Sequence, residues 1–170
     1  GVSFVANPGK GLSWFRDTGY AQLIEEIDKT EGSKPIAVIF NLGVNDLGNA
    51  GNYVSYMTSI ASTLKSKNCK LFYMSVNPIN STMITKAGRK PRTEAQVREF
   101  NSKIRSGLSL DYKYIDMYSV LMKKGYGTNA SYDGVDDGDD GLHYTTKTFK
   151  RIYYYCITYL NTGSINASYY

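Results

Sequence analysis

The chain has 170 residues, a formal net charge of +5 and an apolar content of 42%. That length makes one domain with room for a buried core, and no apolar run approaches the roughly 20 residues of a membrane-spanning helix, so no membrane partner is expected. The basic residues are scattered apart from Arg89-Lys90-Pro91-Arg92; that cluster reads as a solvated loop, and no nucleic-acid motif accompanies it.

Val2 to Ala6 reads as a short strand, and Asn7-Pro8-Gly9-Lys10-Gly11 as a turn. From Gly19 to Lys29 the residues Leu23, Ile24 and Ile27 recur at helical spacing. Pro35 to Phe40 is a continuous apolar run, the pattern of a strand buried on both faces. Tyr53 to Leu64 predicts a helix with Val54, Met57, Ile60, Ala61 and Leu64 on one stripe. Lys70 to Val76 predicts a second buried strand, ended by Asn77-Pro78, and the stretch onward to Arg92 reads as an irregular polar loop. Thr93 is placed to cap a helix that carries Val97, Phe100 and Ile104 inward. Tyr112 to Tyr118 predicts a last strand, followed by a long loop and a helix from about Thr145 to Leu160. Strands and helices alternate throughout, which predicts an α/β sandwich with a parallel sheet and a single domain over 1–170.

The only histidine is His143, three residues after Asp140 in the segment Asp140-Gly141-Leu142-His143. A lone loop histidine is often a plain surface residue. At this spacing, however, the carboxylate accepts the Nδ1 proton, fixes the tautomer and leaves Nε2 as a general base. A pair of that kind activates a nucleophile. The acidic run Asp136-Asp137-Gly138-Asp139-Asp140-Gly141 lacks the terminal bidentate Glu of a calcium loop, so no metal is assigned to it. Cys69 and Cys156 have no metal-ligand spacing; two buried thiols or one disulfide both fit. Sixteen tyrosines suit a sugar-binding surface, although many can instead sit at the edges of a core, and Tyr153-Tyr154-Tyr155 fits the core edge better.

Each polar motif follows a predicted strand: Gly9-Lys10-Gly11, then Gly43-Val44-Asn45-Asp46, then Ser75-Val76-Asn77-Pro78, then the Asp140–His143 loop. Open parallel sheets bind ligands beyond the carboxyl ends of their strands, so all four are expected at one sheet edge.

Gly43-Val44-Asn45-Asp46 after an apolar strand, with Asp140-Gly141-Leu142-His143 before the last helix, resembles the Gly-x-Asn-Asp and Asp-x-x-His blocks of the SGNH (GDSL-type) hydrolase superfamily. Asn7-Pro8-Gly9-Lys10-Gly11 resembles its glycine block, so three of the four family blocks stand in order over nearly the whole chain. Ser75-Val76-Asn77-Pro78 and Phe100-Asn101 resemble a bacterial subgroup of carbohydrate esterases. The resemblance implies a three-layer α/β/α sandwich with a central parallel sheet, flavodoxin-like, and a serine esterase acting on small acyl esters of carbohydrates, O-acetyl first. It implies His143 as base, Asp140 as its partner, and Gly11 and Asn45 as oxyanion donors, with Gly9 the alternative to Gly11. Asp46 is expected to hold the loop, and Asn77 either lines the pocket or shapes the strand end. No cofactor is implied, and secretion or a cell-surface location follows from family analogy alone.

The family's Gly-Asp-Ser block, which carries the nucleophile, occurs nowhere in the chain. The expectation is that the first strand, the serine loop and the first helix, roughly 20–40 residues, lie upstream of Gly1. The missing strand is then expected between Val2–Ala6 and Pro35–Phe40, and the domain is N-terminally incomplete and nearly inactive by itself. The alternatives are a non-catalytic carbohydrate-binding domain on the same fold, or a nucleophile elsewhere, at Ser13 or Ser75. The absence of a signal peptide says nothing of the gene product, because the chain starts at Gly1.

Overall fold

The computed structural model describes residues 1–126 and 140–166. The protein is α/β, with a parallel sheet of three strands in the order β1-β2-β3: β1 (Ile36–Phe40), β2 (Cys69–Met74) and β3 (Tyr112–Ile115). β1 and β2 run in register from Ile36 opposite Cys69 to Phe40 opposite Tyr73. The chain divides into two compact units, Gly1–Tyr73 with Ser102–Tyr114, and Met74–Asn101 with Ile115–Tyr170.

In the first unit the predicted Val2–Ala6 strand does not form. The sheet supplies it no partner, and Val2 and Phe4 stand 56% and 81% exposed. The turn that follows does form, closed by Lys10 N–H on Asn7 O. The first helix starts earlier than its apolar spacing suggests. α1 (Leu12–Trp14) continues through a π-helical turn, Phe15–Gly19, into α2 (Tyr20–Asp28). Phe15 explains the extension: it is buried, and its ring meets Phe40, Tyr56 and Tyr20 edge-on. Several tyrosines are thus packing groups. β1 is not buried on both faces as its composition suggests, because Val38 and Phe40 are buried while Ala37 is exposed. That is the behaviour of an edge strand. α3 (Ala50–Ser66) buries Tyr53, Met57, Ile60, Ala61 and Leu64, so Tyr53 rather than Val54 completes the predicted stripe.

In the second unit the stretch read as an irregular loop holds a six-residue helix, α4 (Ser81–Lys86), capped by Asn80 Oδ1 accepting from Met83 N–H. α5 (Glu94–Gly107) begins with a reciprocal capping box: Gln96 N–H donates to Thr93 Oγ1, and Thr93 N–H donates to Gln96 Oε1. Val97, Phe100 and Ile104 are fully buried, as their spacing predicts. β3 stops at Ile115, short of the predicted Tyr118, because Asp116 caps α6 (Met117–Lys123) by accepting from both Ser119 N–H and Ser119 Oγ. α7 (Thr146–Thr162) is capped by Thr145. Of its three consecutive tyrosines Tyr155 is buried, while Tyr153 and Tyr154 are exposed. Cys69 and Cys156 are both buried free thiols, so there is no disulfide. Burial pushes the Cys156 thiol up to about 11, which keeps it protonated and inert. The long acidic loop before Asp140 lies outside the described residues.

Candidate active site

Asp140 is the organising residue of the second unit's polar cluster. Its Oδ1 accepts from the backbone N–H groups of Leu142 (2.8 Å) and His143 (3.0 Å), an Asx turn written by local sequence. That turn leaves Oδ2 aimed at the imidazole, 2.7 Å from His143 Nδ1. The carboxylate is 5% exposed and the imidazole 53%, so the pair is anchored inside and open outside. Burial pushes the Asp140 carboxyl up, but the bonds from His143 N–H, the imidazole and Leu142 N–H outweigh it and hold the carboxyl down at about 2. Asp140 therefore stays ionised at neutral pH, the arrangement an orienting carboxylate requires.

The dyad loop is fastened to the segment after β2. Asn80 N–H donates to Gly141 O at 2.8 Å, and Tyr144 Oη donates to Pro78 O. Gly141 has φ +75°, and a Cβ there would run into Asn80 O and the N of Ile84, so only glycine fits. The same segment is tied to α5 and α6. Asn101 spans both backbone groups of Val76, accepting from its N–H at 2.8 Å and donating to its carbonyl at 2.9 Å. The buried Glu94 accepts from Ile79 N–H and Tyr118 Oη. Asn77 lies in this fastened segment and is half-buried; its Oδ1 is buried without a hydrogen-bond partner among the described residues. That suits either a pocket-lining acceptor or a strained strand end.

Arg89 was not visible as a site residue. Its guanidinium Nη2 sits 2.5 Å from Asp140 Oδ2, the oxygen that also faces His143 Nδ1. Arg92 stands near the same pair: burial lowers its tendency to hold a proton, Arg89 lowers it further, and Asp140 raises it. Part of the basic cluster is thus fixed beside the dyad rather than free in solvent. The one signal for this lay in the turn glycine, Gly88, just ahead of Arg89.

Gly11 and Asn45 belong to the first unit, where they meet around Asp46. Asn45 Nδ2 donates to Lys10 O at 2.8 Å. Asp46 Oδ2 accepts from Leu12 N–H at 3.1 Å, and its Oδ1 accepts from the buried Tyr53 hydroxyl at 2.5 Å. A Cβ on Gly11 would lie 2.5 Å from Asp46 Oδ2, which selects Gly11 rather than Gly9 as the residue packed on this carboxylate. Asp46 holds the turn together. The same unit carries an open cleft of about 430 Å³ lined by Leu12, Ser13, Arg16, Asn49, Asn52 and the Tyr56 ring, among others.

Neither alternative serine is arranged as a nucleophile. Ser13 is exposed, with its hydroxyl donating to Asp17 Oδ2. Ser75 is fully buried, and its Oγ accepts from Tyr118 N–H at 2.8 Å.

No protein-family model and no curated protein sequence matches the chain. Fold and site together define an α/β protein with a parallel sheet and a hydrogen-bonded carboxylate–imidazole pair on the loop leading into α7.

Proposed function

We propose a serine-type ester hydrolase acting on small acyl esters of carbohydrates, O-acetyl esters first, on the three-layer SGNH (GDSL-type) fold. The observation that carries this reading is the Asp140–His143 pair, at 2.7 Å with a half-exposed imidazole on a turn held by two backbone bonds. Such a pair has no structural need of its imidazole; Asp140 would close the turn without it.

The serine comes from a Gly-Asp-Ser block that these 170 residues do not contain. Its hydroxyl oxygen attacks the ester carbonyl as His143 takes the proton. His143 then returns that proton to the departing alcohol, and water repeats the sequence to release the acid and regenerate the serine. Asp140 remains ionised and stabilises the imidazolium. Gly11 N–H and the Asn45 amide are the oxyanion donors by resemblance. Their support is rigidity: one is packed on Asp46 and the other bonded to Lys10 O. Losing one such donor costs about 3–4 kcal/mol of transition-state stabilisation.

The test is hydrolysis of p-nitrophenyl acetate and an O-acetylated oligosaccharide by the full-length gene product. The reading expects turnover that falls by a factor on the order of 10⁴ in His143→Ala. No turnover, or turnover indifferent to His143, contradicts it. The open cleft lined by Tyr56, Asn49 and Asn52 favours a second reading, a carbohydrate-binding domain without catalysis. In that case the oligosaccharide binds and is recovered unchanged.

A further inference from the structure

We infer that Arg89 is a positioning residue that sets the strength of the His143 base by sharing Asp140 Oδ2 with it. Four observations carry this. First, Asp140 does not need Arg89 for its orientation, because Oδ1 is already held by Leu142 N–H and His143 N–H. Second, Arg89 contacts the other oxygen, Oδ2, at 2.5 Å, and His143 Nδ1 contacts that same atom at 2.7 Å. Third, the backbone delivers Arg89 there. Gly88 N–H bonds to Thr85 O and Arg89 N–H to Ile84 O, a Schellman ending that turns the chain back at the foot of α4. Fourth, the other end of α4 is tied to the dyad loop through Asn80 N–H on Gly141 O. A helix of six residues is thus fastened to the dyad at one end and carries the guanidinium to it at the other.

The chemistry follows from charge. Two proton-donating partners, the guanidinium and the imidazole Nδ1–H, divide the negative charge of one carboxylate oxygen between them. The imidazole receives a weaker pull on its Nδ1 proton than a lone carboxylate would exert, so Nε2 is a weaker base and a weaker nucleophile. At 5% exposure the carboxylate is more weakly screened by solvent than a surface carboxylate would be, so the guanidinium acts on it more strongly than across an exposed pair. The role as a tuner of catalysis rests on the esterase reading; the coupling itself does not.

The chain has one histidine, so its reactivity reports on one site. Diethyl pyrocarbonate transfers an ethoxycarbonyl group to a neutral imidazole nitrogen, and mass spectrometry counts the product. Rates are compared at about pH 8, where an ordinary imidazole is neutral, for the parent, Arg89→Met, Arg89→Lys and Asp140→Asn. Methionine and lysine have similar reach, so they separate charge from access. The inference expects Arg89→Met to react about threefold faster than the parent, Arg89→Lys to match the parent, and Asp140→Asn to be slower. A rate for Arg89→Met equal to or below the parent's overturns it, and so does an equal acceleration in Met and Lys. If circular dichroism shows Arg89→Met unfolded, Arg89→Gln answers the same question. A full-length product without esterase activity whose His143 follows this order would remove the esterase reading and leave the coupling. An active esterase whose variants react alike would do the reverse.

Discussion

At Asp140, burial and hydrogen bonding pull the carboxyl in opposite directions, and the hydrogen bonds win. The folded state holds the group at about 2 against an ordinary 3.8, so folding favours its charged form. The resulting stability is complete above about pH 4 and is lost as pH falls through about 2, an effect of at most ~2 kcal/mol. Asp140→Asn lacks it. Urea melts of parent and variant should therefore differ most above about pH 4 and converge toward about pH 2; a gap independent of pH contradicts the assignment. Gly11 gives a second prediction at this scale. Gly11→Ala puts a methyl against the Asp46 carboxylate and displaces its bond to Leu12 N–H, at a cost of about 1–3 kcal/mol in urea melts. An unchanged midpoint would show that the turn has room. The Asp140–His143 pair was legible because an Asx turn is written by neighbours in sequence. Arg89 was not, because nothing local in Arg89-Lys90-Pro91-Arg92 says that a distant aspartate waits for one of its charges.

Among the elements, α5 was the most legible, and the reason is physical: its start signal and its core stripe agree. Thr93 and Gln96 cap each other, and Val97, Phe100 and Ile104 follow at helical spacing into the core. α4 was illegible because six residues with one buried side chain, Ile84, give no periodicity to read. Only its flanking Asn80 and Gly88 mark it. The early start of the first helix was missed because Phe15, not a repeating apolar stripe, anchors it. Asn101 supplies the test of the α5 role. Its side chain satisfies both buried backbone groups of Val76, just after β2. Asn101→Ala leaves both unpaired and should cost about 2–4 kcal/mol. Asn101→Asp keeps only the acceptor for Val76 N–H and should fare no better, since it sets a carboxylate against Val76 O. A variant within about 0.5 kcal/mol of the parent would mean that water replaces both bonds.

β1 pairs with β2 on one side, and its other edge has no strand among the described residues. The parallel sheet followed from the alternation of strands and helices, but the Val2–Ala6 strand did not form, because a strand exists only where a neighbour pairs with it. An open parallel edge, with Val2 and Phe4 exposed in the same unit, invites association. Static light scattering of the chain should show apparent mass rising with concentration, and Ala37→Lys at the exposed β1 position should suppress the rise without lowering the melting temperature. A constant monomer mass in the parent contradicts this. The central claim, that the Asp140–His143 pair exists to activate a serine from a Gly-Asp-Ser block, is reached most directly by labelling with an alkyl fluorophosphonate, which bonds covalently to activated serines. In the full-length gene product, peptide mass mapping should place the label on a serine in a Gly-Asp-Ser turn, and His143→Ala should abolish it. Labelling at Ser13 or Ser75, labelling that survives the loss of His143, or no labelling at all would contradict the account.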